Sequence, residues 1–259
     1  MHTQSRATIK ETMKRVKMTV AYDGTNYCGW QVQPNGTTIE EVLNRELSRI
    51  LKEDITVLGA SRTDAGVHSL GNVCIFDTEA RMPAEKISFA MNQSLPDDIV
   101  VVDSCQVRDD WHPHKVESRK TYEYRILNRT FPDPTRRLDT HHYHYYLDVD
   151  KMQQAARLLE GQHDFKSFCS VKAQVKSTVR TIYSCDVTRD KNDLITIRVT
   201  GNGFLYNMVR IIAGTLIKVG CGDIEPEKIT EILESCNREA AGPTAPAKGL
   251  TMIGLEYIE

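Results

Sequence analysis

Thr38 and Glu41 form a capping box, in which a hydroxyl and a carboxylate each satisfy a backbone N–H that a helix start leaves open. The chain reaches them through an Asn35-Gly36 turn, and the helix they open carries Ile39, Val42, Leu43, Leu47, Ile50 and Leu51 on one stripe. A helix with a single apolar face must lie on another layer. Strands are expected around it at Lys17–Tyr22, Ile55–Ala60, Asn72–Thr78 and Ile99–Val107, with a second helix from Pro83 to about Ser94. The pattern then recurs. A strand at Arg119–Leu127 leads into the Pro-rich loop Phe131–Pro134, followed by a helix from about Asp150 to Glu160 and strands at Thr181–Arg189 and Leu194–Thr200. Helices from Phe204 to about Val219 and from Pro226 to Cys236 precede a last strand at Met252–Ile258. The class is α+β, with helices packed on one side of antiparallel or mixed sheets. No repeat is visible in the residues themselves.

Residues 1–17 are polar and weakly basic with no apolar centre, which excludes a secretory signal and reads as a flexible leader over 1–16. No run approaches the ~18 apolar residues of a membrane span. Seven cysteines, an odd number with no C-x-x-C pair, read as reduced, buried small hydrophobes of a cytoplasmic protein. The net charge of −2 argues against a nucleic-acid partner only when taken globally. From Lys115 to Arg137 seven Lys or Arg stand against three acids, and from Phe165 to Arg180 four stand against none. The remainder therefore carries −10, which fits either a phosphate-binding face on an acidic body or ordinary solvated faces.

Ser61-Arg62-Thr63-Asp64-Ala65-Gly66-Val67-His68 places an acid two residues after an arginine, on the loop leaving the expected strand. A guanidinium nearby favours the ionised carboxylate that a nucleophile or general base requires. The same cluster is also what a structural ion pair beside a tight turn looks like.

The stretch R-T-D-A-G-V-H resembles the catalytic loop of the tRNA pseudouridine synthase A family. Four further blocks are similar to that family in the same order. They are Ala21–Gln31, Arg119–Tyr124 (R-K-T-Y-E-Y), Gly203–Arg210 (G-F-L-Y-N-M-V-R) and Thr244–Leu250 (T-A-P-A-K-G-L), so the likeness runs from about Met18 to the end. It implies two similar lobes, here 17–110 with the catalytic loop and 111–259, facing each other across a central basic cleft. It implies isomerisation of uridine to pseudouridine in the tRNA anticodon stem-loop, at positions 38, 39 and 40, by a homodimer. The base is detached, turned and rejoined with nothing oxidised and no group gained, so neither cofactor nor metal is required.

The resemblance makes Asp64 the catalytic residue. It gives substrate-binding roles to Arg62, filling the space of the flipped nucleotide, and to Tyr122, packing on the uracil. Arg210 is aimed at the carboxylate with a two-pronged guanidinium; read without the family, Asn207, Arg210, Gly214 and Lys218 make a solvent-exposed helix stripe. Tyr124 shares Tyr122's strand face and reads as core, and His68 as support for the loop. Many relatives have glycine where this chain has Ser61, which bears on the loop's backbone. Gly201-Asn202-Gly203 fits a phosphate-binding helix start or a simple turn, and is no complete dinucleotide fingerprint.

Two rival readings are a non-catalytic RNA-binding or RNA-folding protein that keeps the cleft, and a metal-dependent hydrolase using histidines. His112 and His114, in Trp111-His112-Pro113-His114, and His141, His142 and His144 are the candidates for the second. They lack the spacing of ligand pairs on one face.

Overall fold

The computed structural model describes residues 13–170 and 175–258. Its strands are β1 (Lys14–Tyr22), β2 (Leu58–Gly59), β3 (His68–Thr78), β4 (Ile99–Val107), β5 (Ser118–Leu127), β6 (His141–His142), β7 (Gly161–Asp164), β8 (Val179–Arg189), β9 (Leu194–Gly201) and β10 (Leu250–Tyr257). Its helices are α1 (Ile39–Leu51), α2 (Ala84–Asn92), α3 (Val149–Arg157), α4 (Met208–Gly220) and α5 (Lys228–Ser235). One sheet runs through both halves of the chain in the order β4-β1-β3-β10-β5-β9-β8-β7, with β2 beside β3 and β6 beside β5. Pairing is antiparallel except for β3 with β10 and β5 with β6. The C-terminal strand thus sits mid-sheet, joining the two halves, where separate sheets were expected.

Alternation along the strands gives the sheet two unlike faces. Val16, Met18 and Val20 of β1, Tyr122, Tyr124 and Ile126 of β5, and Ile195, Ile197 and Val199 of β9 are buried. The helices supply the rest of two cores, one drawn from residues 16–101 with α1 and α2, the other from Val67 and residues 122–252 with α3, α4 and α5. On the opposite face Glu123 links Arg125 (3.1 Å) and Arg198 (2.5 Å) in a shallow, solvent-open hollow. The helices cover one face, as α+β architecture requires.

The capping box forms as the sequence predicts: Thr38 Oγ1 accepts from the Glu41 N–H at 3.3 Å and Glu41 Oε2 from the Thr38 N–H at 3.4 Å. The strand expected at Ile55–Ala60 is mostly irregular. Side chains of α1 take the hydrogen bonds a strand partner would take: Ser48 Oγ accepts from the Ile55 N–H (2.9 Å) and Asn44 Oδ1 from the Val57 N–H (2.8 Å). Ile55 and Val57 still fill the first core. Helix α4 starts at Met208 and not Phe204, because Asn207 adopts left-handed backbone (φ 61°) and interrupts the helix there. The expected leader lies outside the described residues up to residue 12, and β1 begins three residues earlier than predicted. The cysteines are all free. Among the described residues no helix is long and apolar enough to cross a membrane.

Replacing Thr38 by alanine removes the α1 cap at a fully buried position and lowers stability by about 1 kcal/mol. Urea denaturation at neutral pH reads this as a lower midpoint with an unchanged slope.

Candidate active site

The loop from Ala60 to Val67 is held from every side. The Ala60 N–H donates to Val73 O (2.7 Å), Asn72 Nδ2 to Ser61 O (2.9 Å), and the Trp30 N–H to Thr63 O (3.1 Å). Tyr22 Oη and Thr63 Oγ1 lie 2.8 Å apart, and Asp64 O accepts the Val67 N–H (3.1 Å) to close the turn. Two distant blocks of sequence meet here. Gly29 has φ +88°, and a Cβ on it would stand 2.7 Å from Thr63 O, so the loop's close approach requires glycine. Ser61 has none of the left-handed backbone that would demand glycine, and its side chain is buried.

The turn then crosses from one core to the other. Val67 is buried in the second core, although the loop is hung from the first. His68, the first residue of β3, accepts the Gly24 N–H at Nδ1 (3.1 Å). The same Nδ1 lies 3.0 Å from Asp23 Oδ1, while Nε2 faces Leu138 O (2.9 Å) and Lys248 O (3.2 Å).

Arg210, in the first turn of α4, reaches Asp64 from the second core. Its Nη1 lies 3.7 Å from Asp64 Oδ2, with the two side chains only 18% and 22% exposed. Two other donors of the guanidinium are engaged elsewhere: Nε donates to Ala245 O (2.8 Å), and Nη1 to Asn207 Oδ1 (2.8 Å). The two-pronged pairing expected of Arg210 is thus replaced by a single contact from a guanidinium fixed by a helix cap and a loop. Of the stripe Asn207, Arg210, Gly214 and Lys218, Arg210 and Gly214 face the closing loop, Asn207 donates to Ser170 Oγ (2.9 Å), and Lys218 reaches solvent beside Asp223. Gly214 lies against Pro243 O, and the Ala245 N–H donates to Arg210 O (3.1 Å).

Arg62 points elsewhere. It stands exposed on the cleft and forms no ion pair among the described residues, so the charge beside Asp64 is Arg210 and not the neighbour in sequence. Tyr122 lines the same cleft, 8% exposed, its ring edge-on to Phe204 with centroids 5.2 Å apart. Tyr124, two residues on, is fully buried and donates its hydroxyl to Pro246 O (2.9 Å), tying the closing loop to β5. The cleft measures about 1450 Å³ and takes in Arg62, Asp64, Tyr122, Phe204 and Tyr206.

Burial pushes the Asp64 carboxyl above the usual aspartate range, and Arg210 pulls it back only in part. Burial, with Tyr22 and Asp64 nearby, pushes the Tyr122 phenol up, so it stays protonated. Of the seven cations between Lys115 and Arg137, Lys120 alone lines the cleft; Arg125 and Arg136 line the hollow on the other sheet face. Lys172 lies outside the described residues. His112 and His114 also line the cleft, whereas the His142 ring bonds Arg129 O (2.8 Å) and His141 stacks edge-on to Tyr124. No group of three His, Cys, Asp or Glu among the described residues could hold a metal ion. Sequence reasoning missed Lys120 and Asn207. The first had a signal, since Lys120 shares the parity of Tyr122 and Tyr124 on β5; the second had only the general tendency of Asn toward left-handed backbone, which does not mark one position.

Residues 18–114 and 155–257 match the model of the tRNA pseudouridine synthase family. The chain belongs to that family. It is 47% identical over 246 residues to a tRNA pseudouridine synthase A of Thermoanaerobacter sp. (strain X514), spanning 95% of this chain and 100% of that protein. It is 45% identical over 245 residues to that of Ruminiclostridium cellulolyticum, and 47% identical over 245 residues to that of Brevibacillus brevis, each at the same coverage. Among solved structures, a Cbf5-Nop10-Gar1 complex aligns with a TM-score of 0.34 and 15% identity, covering 93% of this chain and 48% of that one, too slight a likeness to add to the fold.

The raised Asp64 pKa has a consequence for stability. Between the unfolded value of 3.8 and the higher folded value, the folded chain holds the proton longer, so stability falls as pH rises through that window. Asp64→Asn therefore raises the melting temperature at pH 7, and this gain vanishes below pH 3.8, as paired thermal melts across pH will read.

Proposed function

We propose that this tRNA uridine-to-pseudouridine isomerase acts at positions 38, 39 and 40 of the anticodon stem-loop, with Asp64 as its catalytic residue. The observation that carries the reading is a desolvated carboxylate facing a cleft of about 1450 Å³, with one guanidinium at 3.7 Å. Burial strips water from Asp64 and makes it a better nucleophile or base, while Arg210 favours its ionised form. In the reaction the bond from C1′ to N1 breaks and one from C1′ to C5 forms; a proton leaves C5 and one arrives at N1. Asp64 attacks the sugar or the base, and no redox or group-transfer partner enters the balance.

The target base must leave the stack before Asp64 meets it. Arg62, exposed at the cleft and in no ion pair among the described residues, suits the space a flipped nucleotide vacates. Tyr122, braced edge-on by Phe204, offers its ring to the uracil, an interaction of about 1–3 kcal/mol. Two lobes, 17–110 and 111–259, would embrace the arm across the cleft, with recognition by RNA shape more than by base sequence. The two cores support that division. In this reading the working form is a cytoplasmic homodimer that uses neither cofactor nor metal.

Incubating the purified protein with an unmodified tRNA transcript in chelator, then mapping pseudouridine, tests this directly. New pseudouridine at positions 38 to 40, lost with Asp64→Ala, is expected. RNA that binds without being modified would overturn the catalytic reading in favour of a pure RNA-binding protein. Arg210→Lys keeps the charge but not the planar fork, and is expected to lower kcat about 10²-fold with little change in stem-loop affinity, measured by single-turnover kinetics.

A further inference from the structure

Lys120 is a cation without a counter-charge among the described residues. It sits on β5 on the same face as Tyr122, two residues away and so about 7 Å along the strand. Its Nζ donates to Ala60 O (2.9 Å), the carbonyl that opens the Asp64 loop, and it lines the cleft. No carboxylate pairs with it among the described residues. The carboxylates lining the cleft are Asp64, beside Arg210, and Glu40, whose Oε2 accepts the Val32 N–H at 2.8 Å. What surrounds Lys120 is of its own sign. Burial, then repulsion from Arg180, lowers its ammonium to about 8. Burial, then Lys120, His112 and Arg62, push the His114 imidazole below the usual histidine range. His112 Nδ1 accepts the His114 N–H (3.1 Å), which leaves its Nε2–H as a further donor beside the cleft, with ring centroids 5.5 Å apart.

A half-buried cation beside a like charge, with no carboxylate paired to it among the described residues, is costly unless an anion completes the site. We propose that Lys120, with His112 and His114, forms a subsite for an RNA phosphodiester next to the nucleotide held at Asp64. The proposal rests on the reading of the cleft as the tRNA site. A base lying on the Tyr122 ring carries its backbone along β5 toward Lys120, and the phosphate supplies the missing negative charge. Two of the three ammonium hydrogens remain for it after the bond to Ala60 O. The contact also ties substrate binding to the catalytic loop, since one amine holds both the phosphate and the Ala60 carbonyl. The Trp-His-Pro-His segment thereby gains a role in which the His112 ring donates a hydrogen bond to the phosphate and no metal is involved.

Equilibrium binding of an anticodon stem-loop already carrying pseudouridine at 38 to 40 tests this without turnover during the measurement. Affinity is read against KCl concentration for the wild type, Lys120→Met and Lys120→Arg. Lys120→Met is expected to weaken binding about tenfold, and to reduce the slope of log affinity against log salt by about one. Lys120→Arg restores the slope. A Lys120→Met protein with an unchanged slope overturns the subsite, and if kcat alone falls, Lys120 only braces the loop. Wild-type protein that fails to bind the stem-loop overturns the reading of the cleft as well.

Discussion

Everything at the site depends on two oppositely charged side chains that come from different cores. Asp64 is carried by a loop whose hydrogen bonds run to the first core, while Arg210 is carried by a helix of the second. Their separation of 3.7 Å is set by neither residue alone. It follows from Val67 entering the second core, from His68 reaching the carbonyls of Leu138 and Lys248, and from the Ala245 carbonyl that holds the guanidinium. Side-chain packing on both sides fixes a geometry that a pair of exposed ions would not keep.

That construction explains the electrostatics. Water is excluded by Tyr122, Phe204 and Leu205 at the cleft wall, so the carboxylate loses solvation faster than one guanidinium can replace it. The same exclusion holds the Tyr122 phenol protonated and weakens the ammonium of Lys120. Acid, phenol and amine all lean toward their neutral forms, which is the signature of a low-dielectric wall and not of any single partner. Such a wall suits a substrate that brings its own charges.

Local chemistry was legible in the residues, and long-range pairing was not. The α1 cap and stripe could be read because both are settled within a few residues, and the alternation of Tyr122 and Tyr124 likewise. The stretch 55–60 misled because its apolar residues do pack inside, yet from a loop bonded to α1 side chains. β6 and β7 escaped notice, being short and built from His-His and Gly-Gln-His-Asp, with no apolar alternation. Read without the family, Arg62 looked like the partner of Asp64 because it is near in sequence; the pairing with Arg210, 146 positions away, was implied only by the resemblance. The basic stretch 115–137 alternates across a strand, so its cations divide between the two faces of the sheet. The five blocks quoted from the sequence make sense as a set only in three dimensions. Gly29 meets Thr63, Tyr124 meets Pro246, and Arg210 meets Ala245.

The central place of β10 has a temporal meaning. The strand that stands between β3 and β5 is made of residues 250–257, the last of the sheet to be synthesised. A nascent chain emerging at roughly 5–20 residues per second gathers its first core early. The Asp64 loop then waits, with Lys248 and the seam beside His68 still inside the ribosome. Each polypeptide consequently brings Asp64 and its surroundings together only after residues 248–257 have left the ribosome.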